Sequence, residues 1–215
     1  MIRSHSAVEA TIRELFSFDK RLYFILLCLF TFLLLLIKKN FIESEIAAFE
    51  VLEEKGQMGI FHLISGLQYF AIPVIYLLKF TFFAFILWVG CFMFGYKIVY
   101  SKVWQIIMIA ETIFLVPEML KIFWFFFFET DPTYWDVRAF YPFSLMNLVD
   151  YETIPERWHL PLKQLNIFEV MYWFILVVAI HMTARKKLSY AYGIVFGSYV
   201  LFFFMWLVFY VIVYK

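Results

Sequence analysis

Six ionisable side chains sit inside stretches of sequence that are otherwise apolar: Lys79, Glu111, Glu118, Lys121, Glu169 and His181. At bilayer depth such a group costs about 2.5–3.5 kcal/mol on insertion scales, so each needs a partner or a task. Lysine and carboxylate can do two kinds of work there. They can form an ion pair that fixes helix register, or line a polar path for an ion or small solute. Spacing groups them. If the chain turns near Tyr100, Lys79 lies 21 positions before the turn, and Glu118 and Lys121 lie 18 and 21 after it. At about 1.5 Å of rise per residue their depths agree within about 5 Å, and Glu118 and Lys121 share one helix face at i, i+3. The expected arrangement is a Lys79–Glu118 pair bridging a helical hairpin with Lys121 beside it, where Pro117 frees a backbone carbonyl. Glu111 is expected to snorkel or to meet His181. Glu169, near the outer end of its helix, is expected to face water. A structural pair, a solute pathway and a contact to a partner subunit are the three readings of this cluster.

Other chemistry finds no footing in the sequence. There is no Ser-His-Asp order, HExxH pair or glycine-rich phosphate loop, so no catalytic residue is assigned. The four histidines lack metal-ligand spacing, so neither a metal nor a cofactor is expected. Cys28 and Cys91 fall in apolar runs, as packing thiols do. A net charge of +1 without a basic patch gives nucleic acid nothing to hold.

The elements that must position the charged groups are long and apolar. Hydrophobic residues make up 65% of the 215 and charged residues 16%, which points to a lipid solvent. The expected fold is all-α: a polytopic membrane protein with five transmembrane helices, over about 22–38, 67–96, 103–128, 165–184 and 188–214. Lys38 and Lys39 snorkel at the end of the first span. Pro73 kinks or begins the second. Residues 1–21 form a polar arm with an amphipathic pattern, and Asn40 to Glu54 continues as an acidic helical extension stopping at Gly56. Tyr96 to Lys102 makes a tight turn. Phe143 to Val149, inside the outer loop 129–164, reads as a short interfacial helix. Gly193 and Gly197 form a GxxxG spacing, a common mark of a helix crossing. The outer loop also carries Tyr134, Trp135, Asp136, Arg138, Tyr141 and Trp158. These form either an interfacial aromatic belt or a contact surface for a partner's exposed domain.

Orientation follows from basic residues near the span ends. Lys97, Lys102 and the turn Arg185-Lys186-Lys187 agree on one side, which puts the N-terminus in the cytoplasm and the C-terminus outside. In that frame, the C-terminal two-thirds resembles the Ypt-interacting-protein (Yip) domain family of five-span membrane proteins, in its bacterial branch. The resemblance is carried by Tyr141-Pro-Phe-Ser-Leu-Met-Asn-Leu, by Leu165-Asn-Ile-Phe-Glu-Val-Met-Tyr-Trp-Phe, and by the basic turn Ala184-Arg-Lys-Lys-Leu. It covers about Leu67 to Tyr210. It implies five helices and a cytosolic N-terminus. Eukaryotic relatives bind small GTPases in vesicle trafficking, but this chain lacks their extended N-terminal region and that role is not carried over. The expected function is therefore that of a non-enzymatic integral membrane protein of the bacterial inner membrane. It would be a subunit or accessory factor of a larger membrane assembly, with lipid and other membrane subunits as its partners. A small permease or channel component, moving a solute past the Lys/Glu cluster, is the alternative.

Overall fold

The computed structural model describes residues 19–40, 58–129, 132–184 and 187–214. Residues 1–18 of the polar arm and residues 41–57, with the acidic extension and Gly56, lie outside these residues, while 20–21 already belong to the first helix. The described residues are mostly helical, and the one strand-like feature among them is an isolated antiparallel bridge between Ser144 and Asn166. Four helices are long and apolar enough to cross a membrane: Lys20–Lys38, Gly66–Met93, Ile167–Ala184 and Leu188–Val213.

α1 (Lys20–Lys38) begins where Asp19 accepts the backbone N–H of Arg21 at 2.9 Å, and ends at Lys38, which faces Glu118 and not the expected interface. α2 (Met58–Met93) runs through Pro73 without interruption, so the proline neither begins nor ends it. The helix stops by a glycine C-cap. Gly95 takes φ 74°, and the Tyr96 N–H returns to the Cys91 carbonyl at 2.8 Å. α3 (Tyr100–Glu111) runs back along α2, held by Trp88 Nε1 on the Ile98 carbonyl at 3.0 Å and Tyr100 OH on the Thr81 carbonyl at 2.8 Å.

The expected third span is not one α-helix. A 3-10 turn, Thr112–Phe114, separates α3 from α4 (Leu115–Phe127). Pro117 lacks an N–H to continue an α-type ladder, and apolar residues on both sides of the turn hide the break from a hydropathy reading. The outer segment then folds into α5 (Tyr134–Ala139), a 3-10 turn at Leu145–Leu148, and α6 (Glu156–Gln164). The expected helix at 143–149 is thus a single 3-10 turn. α7 (Ile167–Ala184) follows, capped by Asn166 Oδ1 on the Glu169 N–H at 2.9 Å. The last rod is α8 (Leu188–Val195), a π turn at Phe196–Val200, and α9 (Leu201–Val213).

Packing divides the bundle into two ends. Toward the 94–99 turn, Leu87, Cys91, Val103, Ile107, Leu176 and Ile194 are all 0% exposed. The expected helix crossing is there. The Phe94 ring lies over Gly193 and Gly197, and a Cβ on Gly90 would stand 2.6 Å from Ser198 Cβ. Toward the outer segment the same helices separate around a cavity.

Candidate functional site: a charged cavity at the outer end of the bundle

A cavity of about 760 Å³ opens among α1, α2, α4, α7 and α9 beneath the outer segment. Leu34, Ile75, Phe82, Phe202 and Trp206 supply apolar walls, while Lys38, Lys79, Glu111, Glu118 and Glu169 bring charge. Along α1 it reaches from Lys38 to Thr31, about 10 Å at the helical rise. On the turn side of its floor, Phe80, Ala84 and Leu87 are fully buried and close the bundle.

The floor is an ion pair, but not the expected one. Lys79 Nζ meets Glu111 Oε1 at 2.5 Å, and Glu118 stands instead 3.9 Å from Lys38. Counted from the helix ends at Met93 and Tyr100, Lys79 is 14 residues in, between Glu111 at 11 and Glu118 at 18. Depth therefore admits either carboxylate, and the contact made is with Glu111. The Lys79 ammonium also lies 5.2 Å from the centre of the Phe114 ring, a cation–π placement.

Lys121 is not beside this pair. Its ammonium donates to the carbonyl of Val137 and, at 2.9 Å, to that of Phe140, fastening α4 to α5. His181 makes no hydrogen bond or ion pair with Glu111, and among the described residues its buried Nδ1 has no hydrogen-bond partner. Glu169 does not face water. It is 3% exposed and accepts Trp173 Nε1 at 2.9 Å and Tyr199 OH at 3.1 Å. Thr31 and Tyr76 share a hydrogen bond of 2.8 Å at the inner end.

The outer-loop residues part company. Tyr141 turns inward to line the cavity, and burial with nearby Glu118 pushes its phenol above the usual range, so it stays a neutral donor. Asp136 closes a capping box with Thr133. Arg138 lies over the Trp135 ring at 5.9 Å, while Trp135 and Trp158 remain exposed at 50% and 42%. For Tyr134 only the backbone is described, at the start of α5.

Sequence reasoning missed Lys38, Tyr141 and Tyr199 as cavity residues and set Glu169 aside. One signal was available for Glu169: Trp173 follows it at i, i+4, on the same helix face. Tyr199 approaches through tertiary packing, which no spacing within α7 reveals. Comparison with known proteins adds no assignment: no family model matches the chain, and no curated protein or solved structure matches it.

Proposed function

We propose that this is a non-enzymatic, five-span integral membrane protein that works by binding a small solute in the outer cavity, as a permease component or a membrane receptor for that solute. The observation that carries the reading is the cavity itself. A pair fixing register alone would be packed around, whereas here about 760 Å³ of space adjoins Lys79 and Glu111. That volume lies in the range of small-molecule sites, with apolar walls and a few convergent polar groups. The accessory-subunit reading has the wide exposed aromatic surface in its support, which lipid also covers.

The fifth span in this reading is α3 and α4 taken together across their 3-10 turn. Its support is that Lys20 hydrogen-bonds Ser101 at one end and the outer segment follows α4 at the other. The cytoplasmic side is the turn end, where Lys20, Lys97, Lys102 and Lys187 gather. Kinship with the Yip domain family is proposed on the sequence motifs alone, two of which meet in the fold. Ser144 bridges Asn166, with the Leu145 N–H on the Leu165 carbonyl at 3.0 Å and the Ile167 N–H on the Phe143 carbonyl at 3.2 Å. A bacterial inner membrane is the proposed location.

A thermal-shift screen of the detergent-purified chain against soluble amines, carboxylates and zwitterions tests the binding reading. One class should raise the melting temperature of the wild type and lose that effect in Glu118→Gln. No shift with any class, together with a stoichiometric companion chain in native mass measurement, would favour the accessory role instead.

A further inference from the structure

The charges of the cavity do not balance. Lys79 is taken by Glu111, and Lys38 is the cation nearest Glu118. Glu169 has no cation within ion-pair distance among the described residues. Both its donors, Trp173 and Tyr199, are neutral and both converge on Oε1. Among the described residues no hydrogen bond reaches Oε2, although Glu169 is 97% buried and lines the cavity (3% exposed). A carboxylate withdrawn from water and left without a counter-charge is a strong acceptor for a cation that brings its own.

The cavity wall has a second feature. α2 and the last rod meet tightly at Gly90 and Ser198, then through the ring pairs Phe83–Tyr199 at 5.3 Å and Phe82–Phe202 at 5.4 Å. Farther toward the outer end, Ile75 and Trp206 line the cavity from its two sides. Beside them at i+3, Leu78 and Phe209 lie outside the cavity lining and are each 63% exposed. The cavity wall therefore adjoins apolar outer surface here, and an alkyl chain leaving between α2 and α9 stays on apolar side chains.

We propose that the cavity takes an amphiphile bearing one ammonium head, seated on Glu169 Oε2, with its alkyl chain leaving between α2 and α9 toward the bilayer. The proposal rests on the binding reading above and names its ligand class. A soluble amine would satisfy Glu169 but leave the walls around Phe82, Phe202 and Trp206 without a partner. A carboxylate head would meet an excess of carboxylates.

Titration of the full chain in a neutral sugar detergent, with dodecylamine, dodecanoate and ethylamine as probes, tests this. Dodecylamine should bind at least about tenfold more tightly than either other probe, and Glu169→Gln should weaken it by about tenfold or more. Dodecanoate binding as tightly as the amine, or unchanged affinity in Glu169→Gln, would overturn it. Should Glu169→Gln fail to fold, Ile75→Trp on the half-exposed cavity wall carries the test. Blocking the passage should cost about tenfold in dodecylamine affinity, and an unchanged affinity would remove the lateral route. If a soluble solute stabilises the chain while dodecylamine does not bind, the amphiphile assignment falls and the cavity reading stands; if no probe and no solute binds, both fall.

Discussion

The turn end and the outer end of the bundle are built from the same helices and solve opposite problems. At the turn end, α2 and the last rod approach until a methyl group at Gly90 would strike Ser198, and Leu87, Ile107 and Leu176 are fully buried. Such packing is unforgiving and specifies one arrangement. At the outer end the helices hold charged side chains around open space. Stability is concentrated where there is no chemistry, and the site is placed where packing has been given up. The π turn at Phe196–Val200 lies at the junction. It contributes Ser198 to the tight crossing and Tyr199 to Glu169, in keeping with the frequent placement of π turns at functional positions.

The largest effect should come from breaking the floor of the cavity. Lys79→Met leaves the Glu111 carboxylate, 4% exposed at its side chain, without its cation. It should lower unfolding free energy by about 3–5 kcal/mol. Adding Glu111→Leu should return most of that loss, because the uncompensated charge and not the missing pair is the destabilising species. Denaturant titration in detergent of the single and double variants measures both. A double variant as unstable as the single one would show that the ion pair itself holds the bundle.

One substitution made at both ends sharpens the contrast. Leu87→Ala, in the closed core, should cost about 2–5 kcal/mol through the void it leaves. Leu34→Ala, on the cavity wall, enlarges a space that already exists and should cost under about 1 kcal/mol. Equal losses at the two positions would mean that the outer end is as tightly packed as the core.

The same contrast explains what the sequence could show. Apolar length marked four of the expected rods, because hydropathy reports on solvent, while the third expected span is broken by its 3-10 turn. Gly193 and Gly197 pointed to the right rod, but the tight helix contact is at Gly90 and Ser198, and the GxxxG pair receives the ring of Phe94 from the turn. The partner of Lys79 was misjudged because depth alone cannot choose between Glu111 and Glu118, which lie 3 and 4 residues from its level when counted from the helix ends. Glu169 was misplaced because the outer segment folds back: Tyr141 and Gln164, distant in sequence from the other lining helices, help cover that end of the cavity. The hairpin rule treats spans as pairs. It does not see a cavity to which α1, α7, α9 and a loop all contribute.

A smaller effect should follow at the cap joining the outer segment to α7. Asn166 accepts the Glu169 N–H and donates to the carbonyls of Lys163 and Gln164, each at 3.0 Å. Asn166→Ala should cost about 1–2 kcal/mol. It should also loosen the Ser144 bridge, read as faster hydrogen exchange at Leu145 and Ile167, whose N–H groups span that bridge. Asn166→Asp keeps the cap oxygen but loses both donors, so it should fall between the two.

The smallest effect concerns Lys163, at the rim of the outer segment. Burial, reinforced by the cations of Arg138 and Lys38, lowers its ammonium from 10.5 to about 8. The amine donates to the Arg138 carbonyl and lies 5.2 Å from the centre of the Tyr151 ring. A lysine whose folded value is depressed disfavours the folded state below about 8, where the fold must carry the charge. That penalty is relieved as pH rises from about 8 toward 10.5, the range in which the unfolded chain holds the extra proton. Stability should therefore rise slightly over that window in the wild type and lose the rise in Lys163→Met. Acylation rates report the same group directly. Lys163 should react as a free amine with a midpoint near pH 8. A midpoint at the ordinary lysine value of 10.5 would mean that the rim of the outer segment is wet.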